Sequence, residues 1–313
     1  MASEYKMTVE HKMAAYDECR LCPRMCGAHR SEGKKGFCGM DGKLMLARAA
    51  LHMWEEPCIS GTCGSGTVFF TGCTLRCVFC QNYDIAAGTY GREVSVSRLS
   101  EIFIELQQKG AANINLVTPS HYVPHIVKAL EQAKQSADMP LTIPVVYNTS
   151  GYERVETLRM LDGLVDIYLP DFKYMDNTLA EAYSRAKDYP KVASDALAEM
   201  VRQRGKAVFF ENGMMKSGVI VRHLMLPGQL MDSKHIVKYL YETYGDDIYI
   251  SLMNQYTPLA QVAHIPELNC RVKKKSYNKL VDYALSLGVV NAFIQEGSTA
   301  EESFIPPFDG EGL

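Results

Sequence analysis

Nine of the ten cysteines in this 313-residue chain lie within its first 80 residues, and their spacing restricts the fold more than any other feature. Small secreted proteins use such cysteines as disulfide staples, but this chain is long enough to bury a core without them. Its first residues, MASEYKMTVEHK, also lack the apolar segment of a signal peptide. We therefore expect thiols that hold metal rather than disulfides.

Three of these cysteines form a compact motif inside the segment TVFFTGCTLRCVFCQN, with the spacing Cys73-x3-Cys77-x2-Cys80. A cubane iron–sulfur cluster has four irons and normally takes four thiolates. Three nearby ligands would leave one iron open to an exogenous molecule, as in other reactive metal sites. The motif therefore predicts a catalytic 4Fe–4S cluster rather than a closed one.

A second group of cysteines precedes this motif and consists of Cys19, Cys22, Cys26 and Cys38. Four thiolates suffice for a tetrahedral zinc site or for a second iron–sulfur cluster, and both alternatives stay open. Cys58 and Cys63 flank a Gly-rich turn, and Cys270 is isolated in the sequence. For Cys58 and Cys63 we expect free thiols, and for Cys270 a structural role.

Composition excludes several classes of function. Lys plus Arg number 33 against 36 for Asp plus Glu, so the formal net charge is −3 and no basic excess indicates a nucleic-acid partner. No apolar run reaches the ~18 residues that a membrane span needs. We expect a cytoplasmic protein with neither a membrane nor a nucleic-acid partner.

From Thr67 onward, short strand-like runs alternate with amphipathic helical segments, which favours parallel βα units and an α/β fold. Six or seven such units suit an incomplete, TIM-like barrel, a partial (β/α)6 barrel. We expect three regions: a Cys-rich metal-binding extension and linker over 1–66, a core over 67–296 and a tail over 297–313.

Chemistry in such folds collects where the parallel strands end. Polar side chains follow four of the predicted strands directly, and these candidate site residues are Thr118, Ser120 and His121, then Asn148 and Thr149, then Asp171 and Lys173, and finally Asn254 and Gln255. Asp171 and Lys173 alternate along extended chain and therefore point the same way.

The motif CTLRCVFC, with Phe79 before its last cysteine, resembles the signature of the radical S-adenosylmethionine (SAM) superfamily. Within it, the segments NTSGY, YLPDFKY and VRHLMLPGQ are similar, in order, to the activating enzymes of glycyl radical enzymes, in particular the pyruvate formate-lyase activating enzyme-like group. The resemblance spans most of 67–260. It implies a 4Fe–4S cluster on the three cysteines, with SAM bound to the open iron.

The resemblance also implies a reaction and site roles. An electron from the cluster would cleave SAM, and the resulting 5′-deoxyadenosyl radical would abstract hydrogen from a substrate. Asp171 and Lys173 would hold the polar end of SAM by charge-assisted hydrogen bonds, and Arg222 matches a SAM-contacting arginine. Asn148 and Thr149 match a polar SAM contact.

Two departures from the family pattern concern the target of the radical. The Gly-Gly-Glu motif that takes the SAM amino group is replaced by NLVTPSHY, which leaves Thr118, Ser120 or His121 as substitutes. A histidine after the sixth strand is replaced by the stretch Asn254-Gln255-Tyr256. Both changes keep alternatives to glycyl radical activation open.

Three functions are therefore compared. The first is a radical SAM oxidoreductase that activates a glycyl radical enzyme and receives electrons from a flavodoxin or ferredoxin. The second applies the same chemistry to another peptide, a metabolite or a nucleotide. The third is a non-catalytic iron–sulfur or zinc carrier or scaffold, which would have no use for polar residues at the strand ends.

Overall fold

A largely parallel β-sheet forms the centre of the protein in the computed structural model, which describes residues 14–295 and 306–313. The sheet has the strand order β10-β9-β8-β6-β5-β4-β2-β1-β3, with β7 paired to β8. In chain order the strands are β1 (Met45–His52), β2 (Ser65–Phe70), β3 (Arg92–Glu93), β4 (Ile114–Val117), β5 (Val145–Thr149), β6 (Ile167–Pro170), β7 (Val208–Phe209), β8 (Met215–Leu224), β9 (Tyr249–Met253) and β10 (Ala292–Ile294).

Helices connect the parallel strands and cover the sheet. In chain order they are α1 (Pro57–Ser60), α2 (Tyr83–Ala86), α3 (Val96–Gln108), α4 (Val123–Lys134), α5 (Val155–Arg159), α6 (Asn177–Ser184), α7 (Tyr189–Arg204), α8 (Leu230–Tyr244) and α9 (Lys274–Leu287). In α3, for example, the Ser95 hydroxyl caps the first turn by accepting from the Arg98 backbone N–H, and Leu99, Ile102 and Leu106 are buried.

Seven strands run parallel to their neighbours in the sheet: β2, β4, β5, β6, β8, β9 and β10. Within the described residues the sheet does not close on itself. Strands β4, β5 and β6 are buried throughout, as parallel strands covered on both faces must be. The predicted α/β class and partial barrel are therefore confirmed. None of the helices within residues 14–295 and 306–313 is long and apolar enough to span a bilayer.

Strand β1 is the main element that sequence analysis missed. It pairs antiparallel with β2 and places residues 45–52 in the same sheet as the barrel strands. Alanine is weakly represented in strands, which explains why the segment MLARAALH gave no strand signal. The boundaries at 66/67 and 296/297 stay predictions, and the first 13 residues of the predicted extension lie outside the described residues.

The end of the chain runs beside β1. The Ala49 backbone N–H donates to the Glu311 carbonyl at 2.9 Å, and the Gly310 N–H donates to the Ala47 carbonyl at 3.2 Å. Phe308 packs edge-on against Phe69, with ring centroids 5.4 Å apart. Residues 297–305 of the predicted tail lie outside the described residues.

The helical stretch between residues 177 and 204 is divided into α6 and α7. Arg185 adopts a left-handed conformation with φ 50°, which ends α6. Pro190 then occupies the first turn of α7, where its missing N–H has no cost. This break matters for the site, because it brings the Ser184 hydroxyl next to Cys77.

Candidate active site

A cavity of about 570 Å³ lies inside the open barrel. This volume is within the range of small-molecule sites, about 300–1,000 Å³. Eight of the predicted site residues line it: Cys73, Cys77, Cys80, Asn148, Thr149, Asp171, Lys173 and Arg222. Thr118 and Gln255 line it as well. Most of the residues that follow the strands are thus brought together.

The loop that carries the three cysteines begins directly after β2. Its Arg76 has a φ of 56°, an uncommon conformation for a residue other than glycine, so the loop turns sharply there. The turn directs the Leu75 and Arg76 backbone N–H groups at the Cys73 sulfur, at 3.4 and 3.5 Å. The Ser184 hydroxyl donates to the Cys77 sulfur at 3.1 Å. Hydrogen bonds of this kind suit thiolate ligands of a cluster.

Burial favours the neutral form of these thiols in the absence of a metal. Burial raises the pKa of the Cys77 thiol, whereas the Lys173 ammonium lowers it. Burial and the two neighbouring thiols raise the pKa of Cys80. A bound metal would remove these protons outright. Among residues 14–295 and 306–313, no three His, Cys, Asp or Glu side chains already have metal-ligand geometry.

A continuous charge network crosses the cavity from the cysteine loop. The Lys173 ammonium donates to Asp171 Oδ2 at 2.7 Å, and Arg222 Nε donates to Asp171 Oδ1 at 3.0 Å. Arg222 also donates to Asn148 Oδ1 at 2.6 Å and to Glu55 Oε2 at 3.1 Å. Burial raises the Asp171 pKa, but Lys173 and Arg222 together outweigh it and hold that pKa below its usual range.

Gly151 allows the strand ends to meet at this network. It has a φ of +77°, and a Cβ there would lie 2.2 Å from the Asp171 carbonyl oxygen. Any other residue at this position would push β5 and β6 apart or strain the backbone. The glycine of NTSGY is therefore explained by a close approach of two backbones beside the site.

Sequence analysis missed two acidic residues of the cavity, Glu55 and Glu56. They precede α1 and reach the barrel interior from the segment after β1. Asn115 Nδ2 donates to Glu55 Oε1 at 3.0 Å, so Glu55 joins the interior of β4 to Arg222 on β8. A rule that looks only at residues after parallel strands finds neither glutamate.

Two predicted SAM contacts do not line the cavity. His121 is buried, and its Nε2 lies 2.8 Å from the Thr71 carbonyl oxygen. Burial lowers the pKa of His121 to about 3, so its ring is neutral. The Ser120 hydroxyl donates to Glu153, a buried carboxyl that also accepts from the Thr149 hydroxyl. Their placement gives the predicted SAM contact of Ser120 and His121 no support.

Aromatic rings close one wall of the cavity. Phe79, the aromatic residue of the cysteine motif, lies 6.5 Å from the ring of Tyr174 and 6.1 Å from that of Tyr256, measured between centroids. Tyr256 belongs to the stretch that replaces the family histidine, and its hydroxyl donates to the Leu268 carbonyl at 2.7 Å. That stretch supplies apolar packing behind the cluster loop.

Two of the four N-terminal cysteines lie beside the same glycine. A Cβ at Gly36 would be 3.2 Å from the Cys26 sulfur and 3.6 Å from the Cys38 sulfur. Burial, reinforced by the nearby Cys38 and Cys19, raises the pKa of Cys22 to about 12. The four-cysteine metal site itself stays a prediction.

A buried arginine is the counter-charge for this group. Arg30 is 1% exposed, and its Nη1 lies 3.6 Å from the Cys19 sulfur. Burial raises the pKa of Cys38, and the positive charge of Arg30 opposes that rise. A four-thiolate metal site carries net negative charge, which this guanidinium would balance.

Arg24 lies within the N-terminal cysteine group and joins it to the loop that carries Cys73, Cys77 and Cys80. Its Nε donates to the Thr74 carbonyl at 2.9 Å, and its Nη2 donates to the Leu75 and Ser184 carbonyls at 3.3 and 2.9 Å. The guanidinium also stacks over Phe37, 4.0 Å from the ring centroid. The two cysteine groups therefore form adjoining parts of one structure.

The other three cysteines are not part of either group. Cys58 is buried at the start of α1, and burial raises its pKa to about 12. Cys63 and Cys270 are exposed. The free thiols expected at Cys58 and Cys63 and the structural role expected of Cys270 stay predictions.

Comparison with known proteins gives one relative with substantial coverage, an uncharacterized protein from Methanocaldococcus jannaschii. The two are 27% identical over 285 residues, which is 89% of this chain and 77% of that protein. Its name carries no activity, so the likeness adds no function.

Two solved structures resemble the fold. A radical SAM methyltransferase from Sphaerobacter thermophilus has a TM-score of 0.51 at 13% identity, covering 74% of this chain and 66% of that one. HydG, a maturase of the [FeFe]-hydrogenase, has a TM-score of 0.50 at 16% identity, covering 74% and 52%. The chain thus spans less than two thirds of either structure, and at these identities the likeness shows the fold alone.

A model of the radical SAM superfamily matches residues 67–240, more than half of the chain and all the segments that carry the three cysteines, Asp171, Lys173 and Arg222. This match covers the parallel strands from β2, whose first two residues precede it, to β8. Glu55, Glu56 and the cavity residues of β9 and β10 lie outside it. The chain belongs to the radical SAM superfamily.

Proposed function

We propose that this protein is a radical SAM oxidoreductase that cleaves SAM reductively and uses the resulting radical to abstract hydrogen from a substrate. Membership of the superfamily implies a 4Fe–4S cluster and SAM. When bound, the cluster supplies the electron that breaks a carbon–sulfur bond of SAM and yields the 5′-deoxyadenosyl radical. The observation that carries the proposal is the convergence of three cysteine thiols and the Lys173–Asp171–Arg222 network on one cavity.

The residues of this chain have separable roles in that reaction. Cys73, Cys77 and Cys80 hold the cluster, and their backbone and Ser184 hydrogen bonds stabilise the thiolates. Lys173 is adjacent to the cysteine loop, since its charge lowers the pKa of Cys77, and it is suited to a carboxylate. Asp171, held ionised, is suited to an ammonium group. The apolar wall around Phe79 excludes water from the radical.

Anaerobic reconstitution with iron and sulfide tests this proposal directly. We expect brown protein and dithionite-dependent release of 5′-deoxyadenosine from SAM, because the thiols, Lys173 and Asp171 together provide for both cofactors. The product is measured by liquid chromatography, with SAM and dithionite in protein-free buffer as the control. Reconstituted protein that absorbs as an iron–sulfur protein but releases no 5′-deoxyadenosine would refute the enzymatic proposal and favour a non-catalytic carrier.

For the target, we propose a glycyl radical enzyme. The support is the sequence similarity of GCTLRCVFCQN, NTSGY, YLPDFKY and VRHLMLPGQ to its activating enzymes. A second readout of the same reaction is a glycyl doublet in electron paramagnetic resonance after addition of each glycyl radical enzyme of the host. A flavodoxin or ferredoxin is the proposed physiological electron donor.

A second target class, another peptide, a metabolite or a nucleotide, is favoured by one observation. The Gly-Gly-Glu motif is absent, and its position holds Thr118 with a φ of 59° beside the buried Ser120 and His121. Deuterium transfer from labelled candidates into 5′-deoxyadenosine separates this class from the first. Transfer from a small molecule, without any glycyl doublet, would replace the activating role.

The N-terminal group is a proposed second metal site, with zinc and an iron–sulfur cluster as the alternatives. Its support is the shared position of Cys26 and Cys38 beside Gly36, together with the buried counter-charge of Arg30. We expect Cys38→Ser to remove this metal and leave the catalytic cluster in place, since Cys38 does not line the cavity.

Metal and sulfide analysis of full-length protein checks this prediction. Wild type should contain either one zinc or additional iron and sulfide beyond one 4Fe–4S cluster, and Cys38→Ser should lose only that part. Cys270→Ser, at an exposed and isolated thiol, serves as the matched control. Equal metal content in wild type and Cys38→Ser would exclude the second site.

A further inference from the structure

Glu56 is a buried carboxyl group with an unsatisfied oxygen. It is 8% exposed and lines the cavity, and its Oε2 atom has no hydrogen-bond partner among the described residues. The Ser251 hydroxyl on β9 lies close enough to lower the pKa of Glu56. Buried carboxylate oxygens are ordinarily satisfied, so this one calls for an explanation.

Among the described residues, the cavity holds no cation that is dedicated to Glu56. Its charged and acidic groups are Lys173 and Arg222 with Asp171, Glu55 and Glu56. Burial raises the pKa of Glu55 and of Glu56, and Arg222, which opposes both rises, is shared between them. Arg222 directs its hydrogen bonds to Asp171, Glu55 and Asn148. His52 also lines the cavity, but burial, Arg48 and Arg222 lower its pKa, so it is neutral.

A chain of contacts separates Glu56 from the cluster cysteines. Contacts run from Cys77 to Lys173, then to Asp171, Arg222 and Glu55, and Glu56 follows Glu55 in the chain. After burial, the largest influences on the Glu56 pKa are Arg222, which lowers it, and Glu55, which raises it. A molecule held at the cluster by Lys173 and Asp171 would therefore leave the Glu56 end to the substrate.

The walls at this end are largely apolar. Phe293 and Ile294 of β10 and Met253 of β9 line the cavity together with Ser251. A cation that reaches Glu56 would pass along these side chains, which suits an apolar stem behind the charged group. Charge and wall chemistry together define a class of ligand.

We infer that Glu56 receives the cationic group, a protonated amine or guanidinium carried on an apolar stem, of the substrate from which hydrogen is abstracted. That the ligand is the substrate rests on the proposed function. The binding site itself is inferred from the cavity geometry. A charge-assisted hydrogen bond to the unsatisfied oxygen favours the ionised form of Glu56 and offsets the cost of its burial. Glu56 is thus a specificity residue rather than a cluster or SAM ligand.

Binding of n-butylguanidinium and its neutral isostere n-butylurea tests the inference in reconstituted full-length protein, with and without SAM. We expect wild type to bind the cation, by calorimetry, and Glu56→Gln to bind it about tenfold or more weakly, because a hydrogen bond to a charged group is lost. Butylurea should bind both proteins equally. Glu101→Gln, on the exposed face of α3, is the matched control and should behave as wild type.

Three results would overturn the inference. The first is equal binding of butylguanidinium by wild type and Glu56→Gln, or none by wild type. The second is a Glu56→Gln variant whose SAM affinity falls about tenfold, which would assign Glu56 to SAM. The third is a variant that no longer folds by circular dichroism, which would show a structural role. Because the SAM-free arm measures binding alone, a failure of SAM cleavage leaves this test decisive.

Discussion

Replacing Cys77 by alanine is expected to abolish the bound catalytic cluster and to lower 5′-deoxyadenosine formation more than about 100-fold, since even loss of an outer contact to a metal ligand costs ~10–100-fold. The Cys77 thiol accepts a hydrogen bond from Ser184 and lies near the Lys173 charge. Its loss therefore leaves two cysteines, too few for a cubane. Iron and sulfide content and product formation are the measurements.

The control for this variant is Cys270→Ala, which changes an exposed thiol outside the cavity and should leave both measurements unaltered. Circular dichroism should show that Cys77→Ala is folded, because the substitution removes one atom beside helix α6. A Cys77→Ala protein that still makes 5′-deoxyadenosine at the wild-type rate would refute the assignment of the cluster to the Cys73-x3-Cys77-x2-Cys80 motif.

Much of the barrel could be predicted from the sequence because its strands and helices have distinct periodicities. Strand β5 (Val145–Thr149) is buried along its whole length, and helix α3 (Val96–Gln108) buries Leu99, Ile102 and Leu106 at helical spacing. Buried parallel strands read as short apolar runs, and capped amphipathic helices repeat every three or four residues. Such local signals are independent of what the element packs against.

The segments outside the parallel barrel carry no such signal. Strand β1 exists because β2 offers it a pairing edge, and the end of the chain lies where it does because Gly310 and Glu311 hydrogen-bond to β1. At Gly312, with φ +78°, a Cβ would lie 2.1 Å from the Ala49 carbonyl oxygen. Such long-range pairings follow from tertiary structure, and sequence periodicity does not report them.

The residues of the candidate site also differ in whether local sequence signals predict them. Asp171 and Lys173 were predictable, because alternate residues at a strand end face the same way, and Arg222 followed from similarity to the superfamily. Glu55 and Glu56 were not, because they enter the barrel from the turn after an antiparallel strand. His121 was placed wrongly at the cavity by the strand-end rule, since a 3-10 turn over Ser120–Tyr122 carries it into the core.

The contact with Glu55 indicates a structural role for Arg222. In the superfamily pattern Arg222 stands for a SAM contact, but here its guanidinium joins β6, β5 and the segment before α1 through Asp171, Asn148 and Glu55. These groups are largely buried, with side-chain exposures of 14% for Arg222, 22% for Asp171 and 10% for Glu55. Arg222 therefore acts on stability as well as on ligand binding.

We expect Arg222→Met to lower the free energy of unfolding by about 3–5 kcal/mol, the usual effect of removing one partner of a buried ion pair. Without the guanidinium, Glu55 would still accept a hydrogen bond from Asn115, and Asp171 would still accept one from Lys173. Both carboxylates would nevertheless lose the cation that they share. Urea denaturation of the unreconstituted protein measures the change. Lys191→Met is the control, because Lys191 is 79% exposed in its pair with Asp195 and should alter stability by less than about 0.5 kcal/mol.

The pH dependence of this deficit separates an electrostatic cause from lost packing. Burial raises the pKa of Glu55 and Arg222 opposes the rise, so loss of the guanidinium raises the pKa of Glu55 and of Asp171. A raised carboxyl pKa destabilises the folded state as pH rises, because the unfolded chain then releases the proton more easily. The deficit should be larger near pH 8 than near pH 5, and Glu55→Gln in the same chain should recover part of it. A deficit that is equal at both pH values and is unaffected by Glu55→Gln would contradict the network and assign the loss to packing alone.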